Sequence, residues 1–161
     1  KEAADAARSF VGTYMQVPPM YSALKVNGKK LCDLARAGKE VERKARPVEI
    51  LALEVDEITL PRVTMTVTCS KGTYIRTLCH DIGRRLGCGG CMERLRRVQA
   101  GEYTIEEAVP LQELLDTAEP EKYLRGVDTM FRNYPAVTLT ANQEKRCRNG
   151  KPLPVRLEKG T

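Results

Sequence analysis

A chain of 161 residues, 42% of them hydrophobic, can bury one sizeable core, or one domain and part of another. Lys and Arg number 27 against 21 acidic residues, and the net charge of +6 favours a polyanionic partner. Aromatics at 5% and the lack of tryptophan argue against broad stacking along a single strand. No apolar run approaches a membrane span and no signal-peptide pattern opens the chain. The first residue is Lys1 rather than a methionine, as expected of a piece of something longer.

The Ala-rich stretch 2–10 reads as the end of a helix, anchored by Phe10 and stopped by Gly12. Tyr14 to Val17 is extended and held so by Pro18-Pro19, because each proline disfavours helix in the residue before it. Tyr21 to Val26 forms a short strand, and Asn27-Gly28 is a strong hairpin signal. Lys25, Lys29 and Lys30 cluster about that turn, either as ordinary surface lysines or as a phosphate-gripping tip. Leu31, Leu34 and Ala35 make one face of a short helix ended by Gly38. A basic loop of Arg43, Lys44 and Arg46 follows, closed by Pro47. From Val48 to Leu60 the chain is β-rich, with Leu51, Leu53 and Val55 alternating with Ala52, Glu54 and Asp56.

Pro61-Arg62 turns into a second strand, in which Val63, Met65, Val67 and Cys69 alternate with Thr64, Thr66, Thr68 and Ser70. Downstream, Ile75, Leu78, Cys79, Ile82 and Leu86 fall at helical spacing, and Gly87 sits where a glycine ends a helix. Lys71-Gly72-Thr73 between them is a sharp strand-to-helix turn, with Thr73 placed to cap the helix. Tyr74 and Arg76 then lie in the first turn at the end of a sheet, where α/β proteins commonly place chemistry. By local pattern alone the plainer reading, a packing tyrosine and a solvated arginine, is the favoured one. A cation in the first turn opposes the helix dipole by a few tenths of a kcal/mol, so an anion is expected beside Arg76. A carboxylate and a phosphate serve equally well.

After the Gly-rich bend at 87–90, Glu93 to Leu95 resumes order. Arg94, Arg96 and Arg97 flank Leu95 and Val98 in a further expected strand. Thr104-Ile105-Glu106-Glu107 matches a capping box whose short helix ends at Pro110. Short helices are expected at 111–116 and 121–125, and a boundary near 126–133. Beyond it come a strand about Ala136, Val137 and Leu139, a helix over 141–148 and a turn at Asn149-Gly150. This tail is too short to fold alone and reads as the start of a second domain.

Of the six cysteines, Cys69 and Cys79 fall on expected buried faces as small apolar residues. Cys88-Gly89-Gly90-Cys91 has redox or zinc spacing. Zinc would want a second such pair or histidines, and His80 is the only histidine, so no metal site is expected. The irregular spacing of the cysteines, including Cys32 and Cys147, suits a reducing cytosol.

Three stretches together resemble a known family. Gln16-Val17-Pro18-Pro19-Met20-Tyr21-Ser22-Ala23-Leu24-Lys25-Val26-Asn27-Gly28-Lys29-Lys30-Leu31, followed by Leu34 to Gly38, is similar to the central signature of the TruB family. Ser70 to Arg76, Asp81-Ile82-Gly83 and Leu86-Gly87-Cys88-Gly89 resemble its later signature, and Leu95-Arg96-Arg97 its third. These are bacterial pseudouridine synthases acting on the T-arm of tRNA.

The resemblance implies an α+β fold, part of the pseudouridine synthase fold, with a mixed, largely antiparallel sheet flanked by helices. Strands are expected near 14–26, 48–60, 63–70 and 95–103, with the longest helix near 73–86. Residues 1–128 would be the C-terminal part of the catalytic domain, and 129–161 the truncated start of a small PUA-like RNA-binding domain. The family detaches uracil, turns it and rejoins it through carbon, with no cofactor or metal. Its nucleophile is an aspartate in a Gly-Thr-Leu-Asp-type motif, and none of Asp5, Asp33, Asp56, Asp81, Asp116 or Asp128 has that context. The tyrosine that stacks on the target base is missing as well. By resemblance, Arg76 pairs with the catalytic aspartate, Tyr74 lines the pocket and Leu95 packs near the flipped base. RNA contacts are expected from Tyr21, Ser22, Lys25, Lys29, Lys30, Lys71, Arg94 and Arg97. Cys91 and His80 match no functional position, and Cys88 is structural.

The expected protein is thus part of a cytoplasmic tRNA pseudouridine synthase, inactive without the N-terminal part that carries the aspartate. The alternative is a non-catalytic RNA-binding module. If the sheet is half of a larger one, an exposed edge invites self-association.

Overall fold

The computed structural model describes residues 1–153 and forms two compact units, Lys1–Leu95 and the chain from Arg96 onward. The sequence boundary at 128/129 lies inside the second unit. The end of the expected second domain, 154–161, falls outside the described residues.

The first unit runs α1 (Glu2–Arg8), β1 (Gly12–Gln16), β2 (Lys25–Val26), β3 (Lys29–Lys30), α2 (Leu31–Arg36), β4 (Arg46–Thr59), β5 (Arg62–Cys69) and α3 (Ile75–Leu86). Its main sheet has the order β1-β4-β5, and both pairings are antiparallel. Helices α1 and α3 pack together and meet the sheet through a core of Ala7, Ile50, Leu53, Leu78 and Ile82. Phe10, Tyr14, Val55, Met65, Val67 and Ile75 pack around that core. Helix α3 and strand β5 therefore form where the apolar periodicities place them.

Strand β4 departs from simple alternation. Ile50 faces Cys69 while Ala52 faces Thr68, so Leu51 is the extra residue of a bulge. A one-residue insertion reverses which side chains point inward. Val48 and Ile50 are buried before the bulge and Leu53 after it, whereas Leu51 is 55% exposed. A second irregularity leaves Asp56 extra, and the Thr66 hydroxyl donates to its carboxylate at 2.9 Å.

The expected strand over 14–26 is broken. β1 stops at Gln16, and Val17 to Leu24 contains no strand before the two-residue β2. Two consecutive prolines supply no N–H for a ladder there. Asn27 (φ 50°) and Gly28 (φ 79°) make the tight turn of the β2–β3 hairpin, pairing Lys25 with Lys30. At the other end of the unit, α3 closes on left-handed Gly87 (φ 77°). The chain then folds back so closely that a Cβ on Gly83 would lie 2.2 Å from the Gly89–Gly90 peptide.

The second unit holds a small hairpin, β6 (Gln99–Ala100) with β7 (Tyr103–Thr104), then α4 (Leu111–Asp116) and α5 (Ala141–Arg148) joined by 3-10 turns. The strand expected over 95–103 is reduced to this hairpin, with residues 91–98 irregular. Gly101 (φ 61°) turns the chain inside that span, and Leu95 is 61% exposed. The strand expected at 136–139 is also absent, since no other strand among the described residues pairs with it. The capping box at Thr104 is present, its N–H donating to Glu107 at 3.3 Å. No residue from Arg96 to Leu153 is buried, and polar pairs such as Arg125 with Glu107 at 2.9 Å lie at its surface.

Candidate functional site

The site is built on the turn between β5 and α3. Ser70 continues the sheet beyond β5: its N–H donates to the Glu49 carbonyl at 2.9 Å, and its Oγ accepts the Glu49 N–H at 3.1 Å. Lys71 and Gly72 (φ 83°) form the exposed corner. Thr73, expected to cap α3, instead turns back to Ser70, with the two hydroxyls 3.4 Å apart. The N-cap is Tyr74, in extended conformation and without a side-chain capping bond.

What holds Tyr74 is a residue that sequence reasoning passed over. Gln16, the last residue of β1, is 1% exposed. Its Oε1 accepts the Tyr74 N–H at 2.8 Å, and its Nε2 donates to the Tyr74 carbonyl at 3.1 Å. Nε2 also meets the Tyr14 hydroxyl. The signal was available, because a polar residue closing an alternating strand just before Pro-Pro needs a partner if it is buried. The partner itself, 58 residues away, was not legible.

Around Tyr74 lies a shallow cleft walled by Pro18, Leu24, Val48 and Gly72, with Arg46 at its rim. The stretches 16–24 and 70–76 are thus brought together. Arg76 follows in the first turn of α3, exposed, and among the described residues it forms no ion pair. The anion expected beside it is not supplied by these residues.

The lysines form a second surface. Lys25, Lys29 and Lys30 are exposed on the hairpin, and with Lys39 they edge a shallow groove alongside α2. Tyr21 is exposed nearby in sequence. Ser22, expected to contact RNA, is 7% exposed, and its carbonyl accepts the Cys32 N–H at 3.0 Å, which joins the start of α2 to the stretch before the hairpin.

Arg94 and Leu95 are exposed in the irregular stretch after the glycine bend. That stretch is tied back to the start of β5 by Glu93, which pairs with Arg62 through two bonds of 2.9 and 3.2 Å. The guanidinium holds the Glu93 carboxyl below its ordinary range. Arg97 belongs to the second unit and is exposed there. All six thiols are free. Cys88 and Cys91 are exposed, while burial pushes the Cys79 thiol up. No helix among the described residues is long and apolar enough to cross a membrane.

Two family models match adjoining parts of the chain, together residues 1–129. Residues 1–75 match the TruB family pseudouridylate synthase (N terminal domain), and residues 76–129 match the tRNA pseudouridylate synthase B C-terminal domain. The chain is 48% identical over 142 residues to tRNA pseudouridine synthase B of Clostridium kluyveri, covering 88% of this chain and 49% of that protein. It is 49% identical over 148 residues to the protein of the same name from Burkholderia lata, covering 91% and 46%. It spans about half the length of the curated relatives it matches. Among solved structures, a chain of a Cbf5-Nop10-Gar1 complex matches with a TM-score of 0.59 and 31% identity, covering 75% of this chain and 32% of that one.

Proposed function

Because the chain belongs to the TruB family of pseudouridylate synthases, we propose that it is part of a tRNA pseudouridine synthase that isomerises a uridine in the T-arm. The observation that carries this reading is the turn from Ser70 to Arg76. It matches the family signature, is anchored by Gln16, and presents Tyr74 in a cleft, with Arg76 two residues on and in no ion pair among the described residues.

In this reading the target base leaves the stack and enters a pocket lined by Tyr74 and bounded near Leu95, both in the first unit. An aspartate from outside this chain attacks the sugar as nucleophile and uracil leaves through its nitrogen; the turned uracil then bonds the sugar through C5 as the aspartate departs, the C5 proton is lost and the freed nitrogen takes one up. Arg76 pairs with that aspartate, holding it ionised and aimed. No cofactor or metal takes part. Tyr21, Lys25, Lys29, Lys30, Lys71, Arg94 and Arg97 contact the T-arm, mostly at phosphates. Residues 1–128 complete the catalytic domain and 129–161 begin the RNA-binding one. The work is cytoplasmic, and the outer edges of β1 and β5, which no other strand among the described residues pairs, await the N-terminal part of the protein or a second copy.

The test is pseudouridine formation in a T-arm transcript under single-turnover conditions. The complete protein is expected to form it and the 161-residue chain is not. The lysine hairpin also favours a second reading, RNA binding without chemistry. A complete protein that binds the transcript and leaves every uridine unchanged would establish that reading instead.

A further inference from the structure

We propose that Gln16 is a positioning residue: its side-chain amide, bonded to both main-chain groups of Tyr74, fixes the backbone from which Tyr74 and Arg76 are presented. This rests on the reading of Tyr74 and Arg76 as pocket residues. The amide acts as a detached peptide group. A primary amide offers donor and acceptor side by side, and closing them on the N–H and C=O of one residue reproduces an antiparallel bridge. β1 ends at Gln16 and β5 at Cys69, so the side chain continues pairing where the ladders have stopped. Its orientation is forced, because the Tyr74 N–H only donates and its carbonyl only accepts.

The placement is specific. Tyr74 is the residue at which extended chain becomes helix, with φ −99° and ψ 102°. Its carbonyl also accepts the first α3 bond, from Leu78 at 3.0 Å. Holding both groups from the side therefore sets the direction in which α3 starts. Arg76, two residues on, inherits that direction. Filling volume does not account for the choice of residue. Methionine has similar bulk but strands the Tyr74 N–H, asparagine is a methylene short, and glutamate turns an anionic oxygen towards the Tyr74 carbonyl.

Glutamate also supplies the test, since a protonated carboxyl regains the missing donor. Burial and the facing carbonyl both favour its protonated form. In the complete enzyme, Gln16→Met is expected to lower the single-turnover rate of pseudouridine formation by about tenfold to a hundredfold while RNA affinity stays within about twofold. Gln16→Glu should be slow at about pH 8 and recover towards wild type as the pH falls to about 5.5, relative to wild type at each pH. Tyr14→Phe removes the third bond but keeps both bonds to Tyr74, and should leave the rate within about twofold. A loss in Gln16→Glu that low pH does not recover, or affinity falling in step with rate, overturns the proposal and leaves Gln16 as filling. Amide exchange at Tyr74, read in the 161-residue chain and corrected for intrinsic rate, needs no activity. Protection lost in Gln16→Met supports the clamp, and protection unchanged overturns it. A wild-type enzyme that forms no pseudouridine would sink the functional reading alone, with the exchange result still deciding the clamp.

Discussion

The Gly83 carbonyl accepts the Gly89 N–H at 3.0 Å, and nothing larger than hydrogen fits between Gly83 and the Gly89–Gly90 peptide. The bend after α3 is laid directly onto the helix that precedes it. A methyl at Gly83 would meet backbone, which cannot swing aside as a side chain can. Gly83→Ala is expected to destabilise the fold by about 1–3 kcal/mol or more. Gly72→Ala, at φ 83° with open space around it, should cost only its backbone strain, about 1–2 kcal/mol. Urea unfolding of both variants checks the order, and equal losses would mean that the bend does not pack as described.

The bulge at Leu51 gives an expectation opposite to simple alternation. Ile50→Ala should cost about 2–5 kcal/mol, because Ile50 is fully buried beneath α1 and α3. Leu51→Ala should change stability by less than about 0.5 kcal/mol. Thermal melts of the two variants decide the matter, and a large loss at Leu51 would place it in the core.

In the complete enzyme, Arg76→Lys keeps the charge but loses the planar fork that aligns a carboxylate. We expect kcat to fall by on the order of tenfold or more with little change in tRNA affinity. Arg76→Met should be worse, since an aspartate without its partner is more easily protonated. Single-turnover rates beside filter binding of the same tRNA provide the check. Binding that weakens in proportion to rate would make Arg76 a phosphate contact.

Replacing Lys25, Lys29 and Lys30 together with glutamine should weaken T-arm binding and flatten its salt dependence, reducing the log–log slope by on the order of two to three. Titrations from low to physiological salt measure the slope directly. An unchanged slope would show that the hairpin does not touch phosphate.

Burial pushes the Tyr14 phenol up from 10.0 to about 12, with Asp81, Cys69 and Cys79 adding to the rise and the Gln16 bond opposing it. The fold thus holds this proton more tightly than the unfolded chain does. The resulting stabilisation is complete below about pH 10 and is lost as the pH rises towards 12. In an alkaline titration followed by ultraviolet absorbance, one of the six tyrosines should ionise near 12. That step should vanish in Tyr14→Phe.

Much of the fold was legible because local chemistry and tertiary packing agree there. The alternation from Val63 to Cys69, the helical spacing from Ile75 to Leu86 and the turn at Asn27-Gly28 each recur as built elements. Sequence failed where a distant partner decides the outcome. Leu51 looks as apolar as Leu53, and only the register against β5 turns it outward. The run from Leu95 to Tyr103 has strand-like residues, but among the described residues only Gln99–Ala100 finds a partner, in Tyr103–Thr104. At the site, Tyr74 and Arg76 could be placed on the turn from spacing alone, whereas Gln16 could not, since its role depends on a contact across 58 positions. Ser22 was placed by motif, and its burial was not legible in the local pattern.

Strand β4 is fourteen residues long, yet β1 pairs with it only from Arg46 to Ile50. Beyond that point the sheet narrows to a two-stranded ribbon that turns at Leu60-Pro61. Ribbons of two strands hold themselves together weakly. The far end will therefore fray before the root, opening from its tip like a zipper while the core under α1 and α3 stays closed. Arg62 sits at that tip and is the residue that grips Glu93. An opening of the ribbon that displaces Arg62 therefore also parts it from Glu93, the residue before Arg94 and Leu95, and added salt, by screening that exposed pair, weakens this tie between the tip and the stretch after α3.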